Sequence, residues 1–379
     1  MAVILTETAS GWTATFGIRI TAAVDLSLLV GYADLTTAAR YERARGEDVG
    51  YLGRLCAGDP SCAFEARWDV GPDGPVATVI GRLRRPDRAA AEQAAGHALA
   101  RLVEVPEHVR AEPVAPEPIP CAPPPGGAAE LRRQCWVVDP SRPYAGVRFY
   151  LAVPPFRSAP EAWPNLLDRL PPLTVSTTLR PTWVPPEFST MLGTVAAQYD
   201  RLARPTEFRS GGLYSAPVHL DADPFAVTAA PLFHDAAARY RGWVFTLRVT
   251  VTAPTWLDDS VLGSLAHALG GVFERPADPE EHRLLVDGLG SFDPPRWGGH
   301  PVWRSQGVPR SLRLLTELAD PFEAAQAVWL PAAAGGALRG VPTVEPVADR
   351  RAGSGGVRIT GSTVTVEGDL FGGDKHVGA

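Results

Sequence analysis

Trp243-Val-Phe-Thr-Leu-Arg-Val-Thr-Val-Thr252, then Ala253-Pro254, then a segment containing Ala266-His267-Ala268-Leu269, is the stretch that decides the fold. Its β-branched and aromatic content is nearly unbroken, which suits a pleated strand and restricts χ1 in a helix. Asp258, Asp259 and Ser260 supply helix-start chemistry, so a helix is expected over residues 257–269. The same order occurs earlier. Val76-Ala-Thr-Val-Ile-Gly-Arg-Leu-Arg-Arg-Pro86 leads into a segment containing Gly96-His97-Ala98-Leu99. Strand, proline and amphipathic helix look like one supersecondary unit used twice, with chance likeness of a short match as the alternative.

Working outward, residues 13–21 alternate in part and suggest a strand, and residues 26–45 have helical spacing. Residues 62–70 and 76–84 flank Gly71-Pro-Asp-Gly74, which predicts a hairpin. Pro86-Asp87 opens an Ala-rich helix running to Leu102. Strands are expected over residues 147–153 and 173–181, and helices over 159–170, 186–203 and 224–239. Residues 105–127 hold eight prolines, favour extended conformations and are expected to form no regular structure. The fold class expected is α+β. Two mixed strand and helix domains, residues 1–104 and 128–346, are joined by the Pro-rich strap at 105–127. A Gly-rich, β-prone tail follows at 347–379.

Composition removes whole classes of function. Lys375 is the only lysine, so 35 of the 36 basic residues are Arg. A P-loop needs a Lys reaching the β- and γ-phosphates, and Lys375 has neither a following Ser or Thr nor a helix to open. Schiff-base chemistry is excluded from the body of the chain for the same reason. No NTPase activity is expected of the chain by itself, and no cofactor is implied. A net charge of −6 gives no electrostatic case for direct nucleic-acid binding. No apolar run reaches 18 residues and the N-terminus lacks a signal-peptide pattern, so a cytoplasmic protein without membrane contact is expected. Cys56 and Cys62 flank a turn-rich loop and Cys121 and Cys135 flank a Pro/Gly segment; neither pair has C-x-x-C spacing, so reduced thiols are expected.

The candidate sites are few. His219, Asp221 and Asp223 stand at i, i+2 and i+4, which on a strand shares one face and could hold a divalent cation for a metal-dependent hydrolase. The competing reading makes Asp223 the cap of a helix starting at Pro224. His97 and His267 are expected as core or half-buried residues, and Arg82, Arg84, Arg85 and Arg88 as a solvated face. Trp297-Gly-Gly-His300-Pro-Val-Trp303 is the most unusual aromatic loop; Trp297 and Trp303 either pack over the core or bind a partner.

Arg148-Phe-Tyr-Leu-Ala-Val-Pro-Pro-Phe-Arg-Ser-Ala-Pro-Glu-Ala-Trp163, Leu166-Leu-Asp-Arg-Leu-Pro171, Val175-Ser-Thr-Thr-Leu-Arg-Pro-Thr182, Arg313-Leu-Leu-Thr-Glu-Leu-Ala-Asp-Pro-Phe-Glu-Ala-Ala-Gln-Ala-Val-Trp-Leu-Pro331 and Gly336-Ala-Leu-Arg-Gly-Val-Pro342 together resemble the N-terminal non-motor region of HerA/FtsK-type ATPases. The likeness covers about residues 130–345. No catalytic residue carries over, because the motor's residues have no counterpart here. Gly368-Asp-Leu-Phe-Gly-Gly-Asp-Lys-His-Val-Gly378 is similar to Gly-Asp phrases in the tails of bacterial conflict and NACHT-type proteins. The two resemblances imply a non-catalytic accessory subunit of a separately encoded motor or effector, in a bacterial defence or DNA-translocation system. The tail, with Val364, Val366, Phe371 and Lys375, would bind that partner by strand addition. A homo-oligomer is a further possibility left open by the sequence.

Overall fold

The structure is a computed structural model that describes residues 3–117, 123–138, 150–158, 162–208, 218–298, 301–305, 307–333 and 340–346. It mixes helices with one large sheet. The N-terminal part contributes β1 (Val3–Thr8), β2 (Gly11–Val24), α1 (Thr37–Cys56), β3 (Ala63–Gly71), β4 (Gly74–Arg85), α2 (Arg88–Val103) and β5 (Val109–Val114). Next come β6 (Ala128–Arg133), β7 (Trp136–Val138), β8 (Tyr150–Ala152), α3 (Ala162–Leu167), β9 (Leu173–Val184), α4 (Pro186–Leu202), β10 (Thr206–Phe208) and β11 (Val218–Leu220). They are followed by α5 (Pro224–Arg239), β12 (Gly242–Thr252), α6 (Asp259–Ala268) and β13 (Gly271–Glu274). The last described part holds α7 (Pro279–Gly288), α8 (Pro301–Arg304), α9 (Arg310–Arg313), β14 (Leu318–Ala319), α10 (Pro321–Val328) and β15 (Thr343–Val344).

The main path of the sheet runs β1-β2-β4-β3-β9-β12-β6-β13, and β5 pairs with β2 beyond the end of β1. Connectivity makes this order informative. β2-α1-β3-β4-α2-β5 is a βαββαβ unit with spatial order β5-β2-β4-β3, which is 4-1-3-2. β6-α3-β9-β12-α6-β13 is a second, with order β13-β6-β12-β9, again 4-1-3-2. Both are the ferredoxin-like split βαβ arrangement. The strand–proline–helix echo occupies the same place in each: β4-Pro86-α2 and β12-Pro254-α6 are the third strand and second helix of their units. The second unit differs by insertion. Where β3 and β4 turn tightly at Gly74 (φ 112°), β9 and β12 are separated by a helical hairpin of α4 and α5.

The units meet at their second strands. β3 pairs antiparallel with β9 from Phe64–Leu179 to Val70–Leu173. Alternation sends Phe64, Ala66, Trp68 and Val70 of β3, with Val175 and Leu179 of β9, into one core shared with α1, α2, α3, α6 and α10. Residues 1–104 and 128–346, expected as separate domains, therefore share a sheet and a core. Helix α10 lies over the seam with Glu323, Ala324, Ala325, Gln326, Ala327 and Val328 all buried. It is closed by a capping box between Asp320 and Glu323. Its C-cap, Trp329, has φ 41°, and its ring lies 5.0 Å from that of Trp68. A tryptophan in the left-handed region is strained and persists only where packing over-determines it.

Two buried charges fix this frame. Glu65, fully buried on β3, accepts hydrogen bonds from Arg67 Nε at 2.8 Å, from Ser176 Oγ of β9 at 2.8 Å and from Arg82 of β4. Burial pushes its carboxyl up, but the Arg82 and Arg67 guanidiniums outweigh that and hold its pKa at about 2. His108, also fully buried, lies 3.4 Å from Glu47 and 3.2 Å from Asp48 of α1. Burial alone would lower its pKa; the two carboxylates prevail and raise it to about 9.

His108 also corrects the reading of the Pro-rich strap. Residues 109–114 form β5, with Pro113 opposite Ile18. A flanking strand tolerates proline where an N–H would face outward, so composition concealed a strand. Another difference concerns the first helix, which starts at Thr37 behind a Thr36 cap and reaches Cys56, beyond the expected range of 26–45. Among the described residues no helix is long and apolar enough to cross a membrane.

These charges set opposite arms of the pH–stability curve. Glu65 titrates below its unfolded value, so its stabilisation is present above about pH 4.5 and disappears as pH falls towards 2. Urea unfolding should find Glu65→Gln destabilised by about 3 kcal/mol at pH 7, with the gap to the parent narrowing in acid. A gap that stays constant down to pH 2 would contradict the assignment. His108 titrates above its unfolded value, so its contribution is complete below about pH 6.5 and is lost as pH rises through 9. His108→Gln should flatten the alkaline arm between those limits, measured by thermal unfolding in a pH series.

Candidate functional site

The larger core takes one face of the sheet, and the same alternation loads much of the other with polar side chains. β9 presents Thr178, Arg180 and Thr182 there, β12 presents Thr246 and Arg248, and β6 presents Glu130 and Arg132. A segment following α7 crosses this face. Three strand arginines hold it by its carbonyls: Arg180 donates to Phe292 at 3.3 Å, Arg248 to Pro295 at 3.0 Å and Arg132 to Trp297 at 2.8 Å. The three come from adjacent strands, so they bind successive parts of the segment. Gly290 and Gly298, with φ of 73° each, bracket it.

Under this segment lies a groove of about 680 Å³, lined by Thr178, Arg180, Thr182, Thr246 and Arg248 from the sheet. Phe292, Pro294, Pro295 and Arg296 form its other wall, with Leu314 and Glu317 at one end. A smaller cavity of about 120 Å³, bounded by Arg132, Trp297 and Trp303, shares Arg248, Arg296 and Glu317 with it. Arg296 pairs with Glu317 through Nε at 3.0 Å, and its guanidinium lies 4.2 Å from the centre of the Trp303 ring. Hydrogen bonding to Glu317 leads the causes that raise its pKa, so Arg296 stays charged.

Trp297 is buried, packed with Ala128 and Leu285 and under the Arg132 guanidinium at 4.8 Å. Trp303 is half-buried between Arg296 and Arg313. Trp297 and Trp303 therefore pack and line the smaller cavity; they do not stand out as an exposed pair. Among the described residues the exposed tryptophans are Trp136, Trp183, Trp243 and Trp256. Trp183 and Trp243 are directly paired across β9 and β12, with ring centroids 5.5 Å apart in an edge-to-face arrangement. They are 54% and 37% exposed.

The metal candidate does not assemble. β11 ends at Leu220, so Asp221 and Asp223 leave the strand whose alternation would have aligned them with His219. His219 and Asp221 lie 3.6 Å apart and are both exposed, while Asp223 caps α5 through the amides of Phe225 and Ala226 and accepts from Tyr150. Among the described residues no group of three His, Cys, Asp or Glu side chains could hold a metal. His97 and His267 are both exposed, at equivalent places on α2 and α6. Arg82 points into the sheet at Glu65, Arg84 stacks 5.1 Å over Phe292, and Arg85 pairs with Asp59, so this cluster is more than a solvated face. Cys56, Cys62 and Cys135 are free thiols, each pushed up to about 12 by burial, which removes them as nucleophiles. Cys121, Val364, Val366, Phe371 and Lys375 lie outside the described residues.

Sequence reasoning missed Arg180, Arg248 and the Trp183–Trp243 pair. The signal for the two arginines was the polar half of the alternation in residues 174–182 and 246–252; Trp183 and Trp243 lie outside those stretches. No family model matches this chain, and no curated protein matches it either.

Proposed function

We propose that this chain is a non-catalytic binding subunit that docks a separately encoded protein partner in the cytoplasm through the aromatic corner formed by Trp183 and Trp243. The carrying observation is the exposure of two directly paired indoles, 54% and 37%, at one end of the longest ladder in the sheet. Large rigid aromatics lose little conformational entropy on binding, and tryptophan is enriched among the few residues that supply most interface energy. Phe322, at the start of α10, is 47% exposed as well. The frame beneath is rigid, because α4 and α5 share a core with Val184 and Val244, the strand neighbours of the two indoles.

The two fully buried glutamates are committed inside the fold. Glu65 is bonded to Arg67, Arg82 and Ser176, and Glu323 to Arg133, Arg239, Tyr240 and the Phe156 amide. The resemblance of residues 130–345 to the region preceding the motor in HerA/FtsK-type ATPases supports a motor or effector subunit as the partner.

Affinity capture from the native host tests the reading. Trp183→Ser with Trp243→Ser should lower recovery of the partner at least tenfold while shifting the melting temperature by no more than a few degrees. Capture unaffected by the double substitution would overturn the assignment, as would a self-association that the same substitution abolishes.

A further inference from the structure

The arginine groove on the second face is independent of the aromatic corner, and its chemistry is that of a small-ligand site. We propose that it binds a small phosphate monoester with a flat organic part, the phosphate held between Arg180 and Arg248 and the ring laid along Phe292, Pro294 and Pro295. The argument starts from register. Arg180 is paired with Thr246 across the β9–β12 ladder, and Arg248 lies two residues further along β12 on the same face. Diagonal neighbours of this kind have Cα atoms about 7–8 Å apart, within which two guanidiniums can close on one group.

Their existing contacts leave donors over. Arg180 uses one terminal nitrogen, at 3.3 Å from the Phe292 carbonyl and 3.4 Å from an Asp293 carboxylate that is 92% exposed. Both contacts are long, and the carboxylate is the kind of surface partner that water already screens. Arg248 uses Nε, 3.4 Å from Glu130, and one terminal nitrogen, 3.0 Å from the Pro295 carbonyl. Each arginine carries five N–H donors in a planar fork, a geometry that matches phosphate oxygens in bidentate fashion. The Pro295 carbonyl orders the Arg248 side chain before any ligand arrives, which lowers the entropy lost on binding.

Size and lining fix the rest of the ligand. About 680 Å³ falls within the range of small-molecule pockets and is far larger than a bare phosphate requires. The wall opposite the arginines offers Phe292, Pro294 and Pro295 as apolar surface, with Asp293 and Arg296 beside them. Pro294 and Pro295 restrict the backbone, and the Arg84 guanidinium stacks 5.1 Å from the centre of the Phe292 ring. Arg296 is committed to Glu317 and serves as a wall, so the phosphate contacts fall to the other two.

Calorimetric titration of the full chain with inorganic phosphate, adenosine and adenosine 5′-monophosphate tests the proposal. The monophosphate should bind at least tenfold more tightly than inorganic phosphate, and adenosine should bind worse than the monophosphate. Arg180→Gln with Arg248→Gln should weaken the monophosphate at least tenfold, while Arg201→Gln on α4 changes nothing. Phe292→Ala separates the two parts of the site: it should weaken the monophosphate and leave inorganic phosphate unchanged. Melting temperatures within a few degrees of the parent certify that the variants are folded. No binding of either phosphate probe would overturn the proposal. So would binding that ignores both arginines, or equal affinity for the monophosphate and for inorganic phosphate. None of these outcomes bears on capture of a protein through Trp183 and Trp243.

Discussion

The antiparallel pairing of β3 with β9 is the constraint on which the molecule depends. Each βαββαβ unit ends its sheet on one side at its second strand, and an edge left open there would expose a row of unpaired amides and carbonyls. Joining the two second strands removes both edges at once and makes a single core from the helices of both halves. Glu65 marks the seam chemically. Its carboxylate is bonded to both neighbouring strands, to Arg82 on β4 and to Ser176 on β9, so the register of the two units is read by one buried charge. Removing one partner of such a group leaves uncompensated charge in a dry site, which is why the seam is specific as well as stable.

What the seam does to the opposite face follows from strand alternation. Core residues on β3, β9, β12 and β6 oblige their neighbours in sequence to point the other way, and those neighbours are Thr, Ser, Glu and Arg. Buried charge of this density must be paired, and most of it is. Arg67 and Arg82 serve Glu65, and Arg132 serves Glu130 and Glu274. The crossing segment after α7 completes the pairing by offering carbonyls to Arg132, Arg248 and Arg180 in turn. The groove is therefore a product of the fold's own electrostatics, with donors that remain where the carbonyls are too few. Helix α10 does for the core face what the crossing segment does for the other: it covers the seam, its single carboxylate Glu323 meeting Arg133 of β6 and Arg239 of α5.

Local structure was legible wherever the signal is local. The Gly71–Gly74 turn, the helix beginning at Pro224 behind Asp223 and the strand at residues 242–252 emerge with little change, because turn chemistry, capping and β-branching act within a few residues. The echo between residues 76–99 and 245–269 pointed to a repeated unit, and the topology gives each copy the same place. The seam left no such mark. Phe64 and Leu179 are paired across more than a hundred residues, and their sequences say only that each is half of a strand. The Pro-rich segment misled for a related reason: β5 is held by β2 and by His108 against α1, both of them distant in sequence. Among the site residues, Trp297 and Trp303 were conspicuous by type, yet they line a cavity, while Trp243 counted only towards a strand and Trp183 fell beyond the strand expected over 173–181.

Native-state hydrogen exchange of the full chain tests the shared sheet most directly. The account predicts that amides of residues 63–71 and 173–184 open only with the whole molecule, at one free energy common to both halves and with the same denaturant dependence. Two separate opening free energies, with residues 1–114 and 128–274 unfolding independently and the seam amides exchanging fast, would contradict it.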